Sequence, residues 1–366
     1  MPTILSVSTY DPPHPLKQEQ TVEFARELFA ESFSDIERLL NVFANGEIEK
    51  RHFSVPLEWF QTSHRLGERN DLFIEKATDY SVEAVKSCLA NGHFLSRTIA
   101  PEEIDAIIFV SSSGMATPSI DARIMNKLPF RPETKRLPIW GLGCAGGAAG
   151  LSRAYDYCLA HPKTAVLVVC AELCGLTFQK EDQSKSNLIG TSLFADGVAC
   201  ALVAGQASPL LADAAQAYRP VIRATQSVLM PDSEDVMGWD VRDNGLNVIF
   251  SRHIPTLVAQ WLKPNVEELL HQEGKEIGEI NAFIAHPGGK KVLEAYEKAL
   301  GFPEEMTLLS RKVLKEHGNM SSPTVLYVLK ESMEETHKHG DVGLVAALGP
   351  GFCSEMLVLE WAGGLH

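Results

Sequence analysis

The sequence predicts a layered α/β fold made of two similar halves, and three observations lead there. Beyond about residue 76, short apolar runs rich in β-branched residues alternate with stretches long enough for helices. Glu103-Ile104-Asp105-Ala106-Ile107-Ile108-Phe109-Val110 is echoed by Glu279-Ile280-Asn281-Ala282-Phe283-Ile284-Ala285-His286. Gly143-Cys144-Ala145-Gly146-Gly147 lines up with Gly318-Asn319-Met320-Ser321-Ser322. The offsets, 103 to 279 and 143 to 318, are 176 and 175 residues, so nearly one shift serves both. Two homologous halves, 1–210 and 211–366, are therefore expected to pack about a pseudo-twofold axis. The boundary falls where alanines, polar residues and prolines cluster, near 207–220.

Each element has its own justification. From Gln18 to about Lys76 polar residues dominate, with Phe24, Leu28, Phe29, Phe33, Ile36, Leu39, Leu40 and Phe43 at helical spacing. Ile104–Val110, Leu137–Leu142, Ala165–Cys170 and Val198–Val203 read as buried strands. Ala145 to about Leu159 and Lys290 to about Leu300 read as helices, each opening just after a glycine turn.

Composition narrows the function. The chain has 366 residues, 45% hydrophobic and 22% charged, which excludes a disordered or fibrous protein. Its 33 Lys and Arg against 47 Asp and Glu leave a net charge of −14, a surface that repels nucleic acid and anionic membranes. Small molecules are the expected ligands, and anionic ones need a local basic cluster. Seven scattered cysteines form no CxxC pair and no Cys/His ligand spacing, so neither a disulfide framework nor a metal site is expected. The N-terminus lacks the pattern of a signal peptide, and the longest apolar run, around Ala165–Cys170, is too short to span a bilayer. A cytoplasmic, reduced protein is expected.

Three residues stand out chemically. Cys144 sits at a strand-to-helix turn with glycines at 141, 143, 146 and 147. At a helix N-terminus the unpaired N–H groups favour a thiolate, so a lowered thiol pKa is expected; the plain alternative is an inert core cysteine. Of the other cysteines, Cys170 and Cys174 could line a pocket. His286 ends an apolar strand just before Pro287-Gly288-Gly289, the place where α/β folds open a crevice. His317 is its rival, in a charged stretch, while His14, His52, His64, His161, His337, His339 and His366 read as solvated. Asn319, alone, reads as a helix N-cap; its equivalence to Cys144 under the repeat makes it a candidate site residue. Together they suggest a thiolate nucleophile, with imidazole and carboxamide donating to a developing oxyanion.

The order Gly143-Cys144-Ala145-Gly146-Gly147, Leu193-Phe194-Ala195-Asp196-Gly197, His286-Pro287-Gly288-Gly289, Gly318-Asn319-Met320-Ser321-Ser322 and Gly349-Pro350-Gly351-Phe352 closely resembles the type III polyketide synthases. This is the chalcone and stilbene synthase family, and the resemblance spans nearly the whole chain. It implies a thiolase-like αβαβα fold and a homodimer. It implies that Cys144 carries the acyl chain, and that His286 and Asn319 polarise a malonyl thioester and hold the enolate left by decarboxylation. No cofactor beyond the acyl-CoA and malonyl-CoA substrates is implied. Phe194 matches one gate residue, and Val248 stands where plant members carry Phe. Thr177, Gly238 and Ser321 match the cavity wall, and Thr117 matches the residue that reaches across the dimer. Lys50, Arg51, Lys290 and Lys291 are candidates for CoA phosphates, whereas the plant basic trio is replaced by Arg38, Asn41 and Asn45. The motif style looks like the bacterial branch, which implies fatty acyl-CoA starters and alkylpyrone or alkylresorcinol products. A ketoacyl-carrier-protein synthase III and a cysteine thioesterase are the alternatives, the former disfavoured by Pro-Gly-Gly after His286.

Overall fold

The computed structural model describes residues 1–30, 33, 35–251 and 253–363, so His366 lies outside the described residues. The strands in chain order begin with β1 (Thr3–Tyr10), β2 (His14–Lys17), β3 (Lys50–Phe53), β4 (Ala106–Ser111), β5 (Lys135–Trp140) and β6 (Ala165–Leu173). There follow β7 (Asp196–Ala204), β8 (Tyr218–Leu229), β9 (Met237–Arg242) and β10 (Gly245–Phe250). The last are β11 (Ile280–Ala285), β12 (Val342–Gly349) and β13 (Cys353–Gly363). The expected strands are all present, displaced by one to three residues at their ends.

Nine of these strands hydrogen-bond in the order β11-β12-β13-β8-β1-β7-β6-β4-β5. The run β1-β7-β6-β4 is repeated by β8-β13-β12-β11, and the pairing sense repeats as well. β4 runs parallel to β6 as β11 does to β12, and the remaining pairs within the runs are antiparallel. The runs join where Thr3 of β1 faces Val221 of β8. β5 extends the first run as an edge strand.

Helices complete the layers. Gly146–Ala160 and Thr324–Glu334 pack on each other and against strands of both runs. Leu66–Leu89 covers β1, β6 and β7 on one outer side; Ile254–Gln272 covers β8 and β13 on the other and packs on Lys290–Leu300. This is the αβαβα stack, and it explains the apolar strands: β6, β7 and β12 are buried along their whole length, so almost every position excludes water. The helical stripe of the N-terminal region forms a separate small core of Ala25, Phe29, Leu40 and Phe43, closed by Leu188.

The central helices approach closely because glycine lines the first of them. A Cβ on Gly147 would stand 2.3 Å from the Ser322 carbonyl oxygen, and one on Gly146 would meet Val110 at 2.6 Å. Gly147→Ala is therefore expected to destabilise by about 1–3 kcal/mol through overpacking. Gly67→Ala, in a helix with open space around the added carbon, should be neutral or stabilising. Thermal melts of the two variants check this, and equal melting temperatures would contradict it.

Candidate active site

Three separate chain turns deliver the candidate residues to one place. Cys144 occupies the turn Gly143–Ala145 that leads directly into the helix from Gly146. Gly143 adopts φ 47° and its N–H donates to Ser112 Oγ at 2.9 Å, which fixes the turn. His286 follows β11, and its N–H extends the ladder by donating to Ala346 O at 2.8 Å. Asn319 is clamped beside Phe194: its N–H donates to Leu193 O, and its carbonyl accepts from Ala195 N–H, both at 2.9 Å. The following helix starts only at Thr324, so Asn319 is not its N-cap. The repeat aligns it with Cys144, but a Ser321-Ser322-Pro323 turn, with Ser321 at φ 60°, separates it from the helix.

Cys144, His286 and Asn319 line one small cavity together with Tyr296 and apolar residues including Met237, Phe250 and Leu348. The Cys144 thiol faces Asn319 Oδ1 at 3.9 Å. That oxygen also accepts from Ser321 N–H at 2.8 Å, while Nδ2 donates to Gly288 O at 3.3 Å. The carboxamide is thus held in one orientation, and an amide has a second N–H to offer. Both ring nitrogens of His286 and the hydroxyl of Tyr296 are buried with no protein partner. Unpaired polar atoms inside a protein are costly, so a cavity that keeps several of them is organised for a ligand.

Burial governs the charges. It pushes the Cys144 thiol up to about 12, a shift that hydrogen bonds with Ser321 and Asn319 only partly oppose. It drives His286 down to about 3. The lowered thiol pKa expected from the helix N-terminus is therefore corrected: desolvation outweighs a terminus effect of typically about 1 kcal/mol. Burial therefore leaves a neutral thiol and a neutral imidazole in the site. Behind Cys144, Glu172 is raised to about 7 by burial although it accepts from Ser112, Ser113 and Ser322.

The remaining candidates divide. Phe194, Val248 and Thr177 line a second, largely apolar pocket with Phe24, Phe60 and Trp239. Cys174 lies on the same wall, and Cys170 is buried in β6. Ser321 joins the Cys144 cluster. Gly238, on β9 between Met237 and Trp239, lines neither space. Thr117 is exposed beside Met115, away from the cavity. Arg51 is corrected: it is 1% exposed, and its guanidinium donates to the carbonyls of Thr191 and Phe194 and to Gln18, out of reach of a solvent-borne phosphate. Lys290 is held by Glu47 at 2.5 Å, whereas Lys50 and Lys291 are exposed, Lys50 in a groove with Arg311 and Lys315. His317 faces Asp11 rather than the cavity. Tyr296 and Glu172 escaped sequence reasoning. The lone Glu in the apolar run Ala165–Leu173 was a readable signal, but Tyr296 looks like any aromatic on a helix's buried face.

A raised thiol leaves little thiolate at neutral pH. Iodoacetamide labelling of Cys144 should therefore climb about tenfold per pH unit from about pH 7 to pH 10, without levelling. Peptide mass mapping reads the rate, and a plateau below neutrality would mean that the Cys144–His286 ion pair already exists in the free protein.

The comparisons with known proteins agree with this geometry. The family model for the N-terminal domain of chalcone and stilbene synthases matches residues 1–208, and that for their C-terminal domain matches residues 221–362. A Bacillus subtilis (strain 168) protein named "Putative chalcone synthase" is 51% identical over 365 residues, covering 100% of both chains. The Mycobacterium tuberculosis (H37Rv) "Alpha-pyrone synthesis polyketide synthase-like Pks18" is 30% identical, over 98% of this chain and 90% of its own. Among solved structures, the 1,3,6,8-tetrahydroxynaphthalene synthase of Streptomyces coelicolor A3(2), a bacterial type III polyketide synthase, superposes with a TM-score of 0.90. It is 28% identical and covers 99% of this chain and 100% of its own. Family models over both parts of the chain, with the cavity that Cys144, His286 and Asn319 share, make this enzyme a member of the chalcone and stilbene synthase family, the type III polyketide synthases.

Proposed function

We propose that the enzyme takes a medium-to-long acyl group from acyl-CoA, extends it with two or three malonyl units and releases mainly an alkylpyrone. The observation that carries this reading is the apolar pocket beside the Cys144 cavity. Its wall is dominated by aromatic and aliphatic side chains, as the walls of small-molecule sites usually are. An alkyl tail gains about 0.8 kcal/mol for every buried methylene. Val248 leaves open the side of the pocket that a Phe would narrow. The alpha-pyrone relative points the same way.

The residues then take these roles. His286 accepts the Cys144 proton, the thiolate attacks the acyl-CoA carbonyl, and CoA leaves with a proton. Malonyl-CoA next loses CO2: the bond to the carboxyl carbon breaks, and its electron pair becomes an enolate. The enolate oxygen receives hydrogen bonds from the His286 ring and the Asn319 carboxamide; one such donor is typically worth about 3 kcal/mol of barrier. The carbanion attacks the Cys144 thioester and expels the thiolate, leaving the extended chain on CoA. After the last extension an enol oxygen closes on the thioester carbonyl and expels the carrier thiol. No step calls for a metal or an organic cofactor. Lys50 and Lys291 are the proposed phosphate contacts, and a reaction on CoA thioesters suits the cytoplasm. None of the described helices is long and apolar enough to cross a membrane.

The proposed assembly is a homodimer. β5 is an edge strand with free backbone groups, and Trp140 at its end is 50% exposed beside exposed Met115 and Thr117. Two copies meeting there would cover this face and bring Thr117 of each to its partner. Sedimentation equilibrium should give a dimer that Ile139→Asp, on β5, converts to monomer. A monomeric parent protein would remove the proposal.

Mass spectrometry of products from a hexanoyl-to-stearoyl-CoA series tests the substrate class. Turnover is expected to peak at a medium or long chain. Thr177→Trp should shift that optimum shorter, losing about fourfold in kcat/KM per excluded methylene. Turnover of p-coumaroyl-CoA alone, or of malonyl-CoA with no added starter at an undiminished rate, would refute the fatty-acyl reading.

A further inference from the structure

A second group of reactive side chains lies outside the catalytic cavity. Asp11 follows β1, His52 is on β3, and His317 ends the helix Leu308–His317. One ligand atom from each lies within 4.8 Å of the others. The three come from distant parts of the chain, so no linear spacing betrays them.

The decisive detail is His52. Its Nδ1 is 3.0 Å from the carbonyl oxygen of Pro12, which can only accept, so Nδ1 carries the hydrogen. Nε2 is then a bare lone pair, and it is buried without a hydrogen-bond partner. That atom is open to a ligand, and a metal-binding histidine has this arrangement, one nitrogen anchored on a carbonyl and the other free. The sequence reading of His52 as simply solvated is corrected. Asp11 Oδ1 is 3.0 Å from His317 Nδ1 and accepts from the Tyr327 hydroxyl at 3.1 Å.

We propose that Asp11, His52 and His317 bind one divalent transition-metal ion of the zinc class. Metal–ligand distances near 2.1 Å separate tetrahedral ligands by about 3.4 Å, so a small inward movement of these side chains closes the site. Two imidazoles and one carboxylate favour zinc, cobalt or nickel over magnesium or calcium. Asp11 is partly exposed, which gives an ion access and leaves a position for water. The site adjoins the catalytic framework: His317 is followed by Gly318 and Asn319, and His52 by sequence adjoins Arg51, which holds the carbonyls of Thr191 and Phe194. A bound ion would tie both to the end of β1 and steady the Asn319 turn, acting as a structural pin outside the reaction.

The test uses the full chain, stripped with chelator and with Cys144 alkylated so that its thiol cannot compete. Titration with Co2+, followed by visible absorption, and with Zn2+, followed by calorimetry, should give one ion per chain. The melting temperature should rise with added Zn2+. His52→Ala and Asp11→Ala should each weaken binding by about a hundredfold, and Tyr327→Phe, which removes a group behind the carboxylate, by about tenfold. No binding at millimolar metal, or equal binding in wild type and variants, overturns the proposal. If a variant does not fold, X-ray absorption of the wild-type Co2+ form decides: two imidazoles in the shell support the site, and a thiolate sulfur overturns it.

Discussion

Everything in this molecule depends on two turns touching. The helix that begins at Gly146 and the segment Ser321–Pro323 come together with no side chain between them, backbone of one against bare Cα of the other. Only this approach lets a residue from the first half stand 3.9 Å from one in the second. Ser322 strengthens the seam by donating to Glu172 at 2.9 Å, so the two halves share a buried carboxylate directly beneath the site. Neither half could assemble the cavity alone, because Cys144 comes from one and His286 and Asn319 from the other.

The second organising force is desolvation. The same burial that makes the thiol reluctant to ionise keeps the imidazole neutral. It also raises the value of any hydrogen bond formed to a charge that appears during reaction. A site of this kind stays quiet when empty and becomes polar as substrate fills it. The Asn319 carboxamide is fixed in advance by Ser321 N–H and Gly288 O, so it need not reorganise when an oxyanion forms. Tyr296 adds a hydroxyl to that space that has no hydrogen-bond partner.

Much of this was legible in the sequence. The repeated Glu-Ile-x-Ala segments marked β4 and β11, and the Cys144–Asn319 equivalence pointed to the seam before any coordinate. Buried strands were readable because burial on both faces leaves few polar positions. What resisted was electrostatic and tertiary. A helix terminus suggested an acidic thiol, since sequence shows the terminus and not the depth at which it is buried. Arg51 looked like a phosphate ligand because basic side chains are usually outside. The hairpin β9–β10, which supplies Met237, Trp239 and Val248 to the two pockets, carries no strong alternation and stayed invisible.

Among the described residues no carboxylate pairs with Arg51; its charge is solvated by peptide carbonyls on the chain just before Asp196. Shifting Thr191 or Phe194 would strip those dipoles from an ion sealed away from water, which is prohibitive. That wall of the pocket is accordingly anchored through its main chain. The opposite bank is tied less firmly: there the two-stranded β9–β10 ribbon carries Trp239 and Val248 and, among the described residues, pairs with no other strand. The passage works like a door with one fixed jamb, and the ribbon is its leaf.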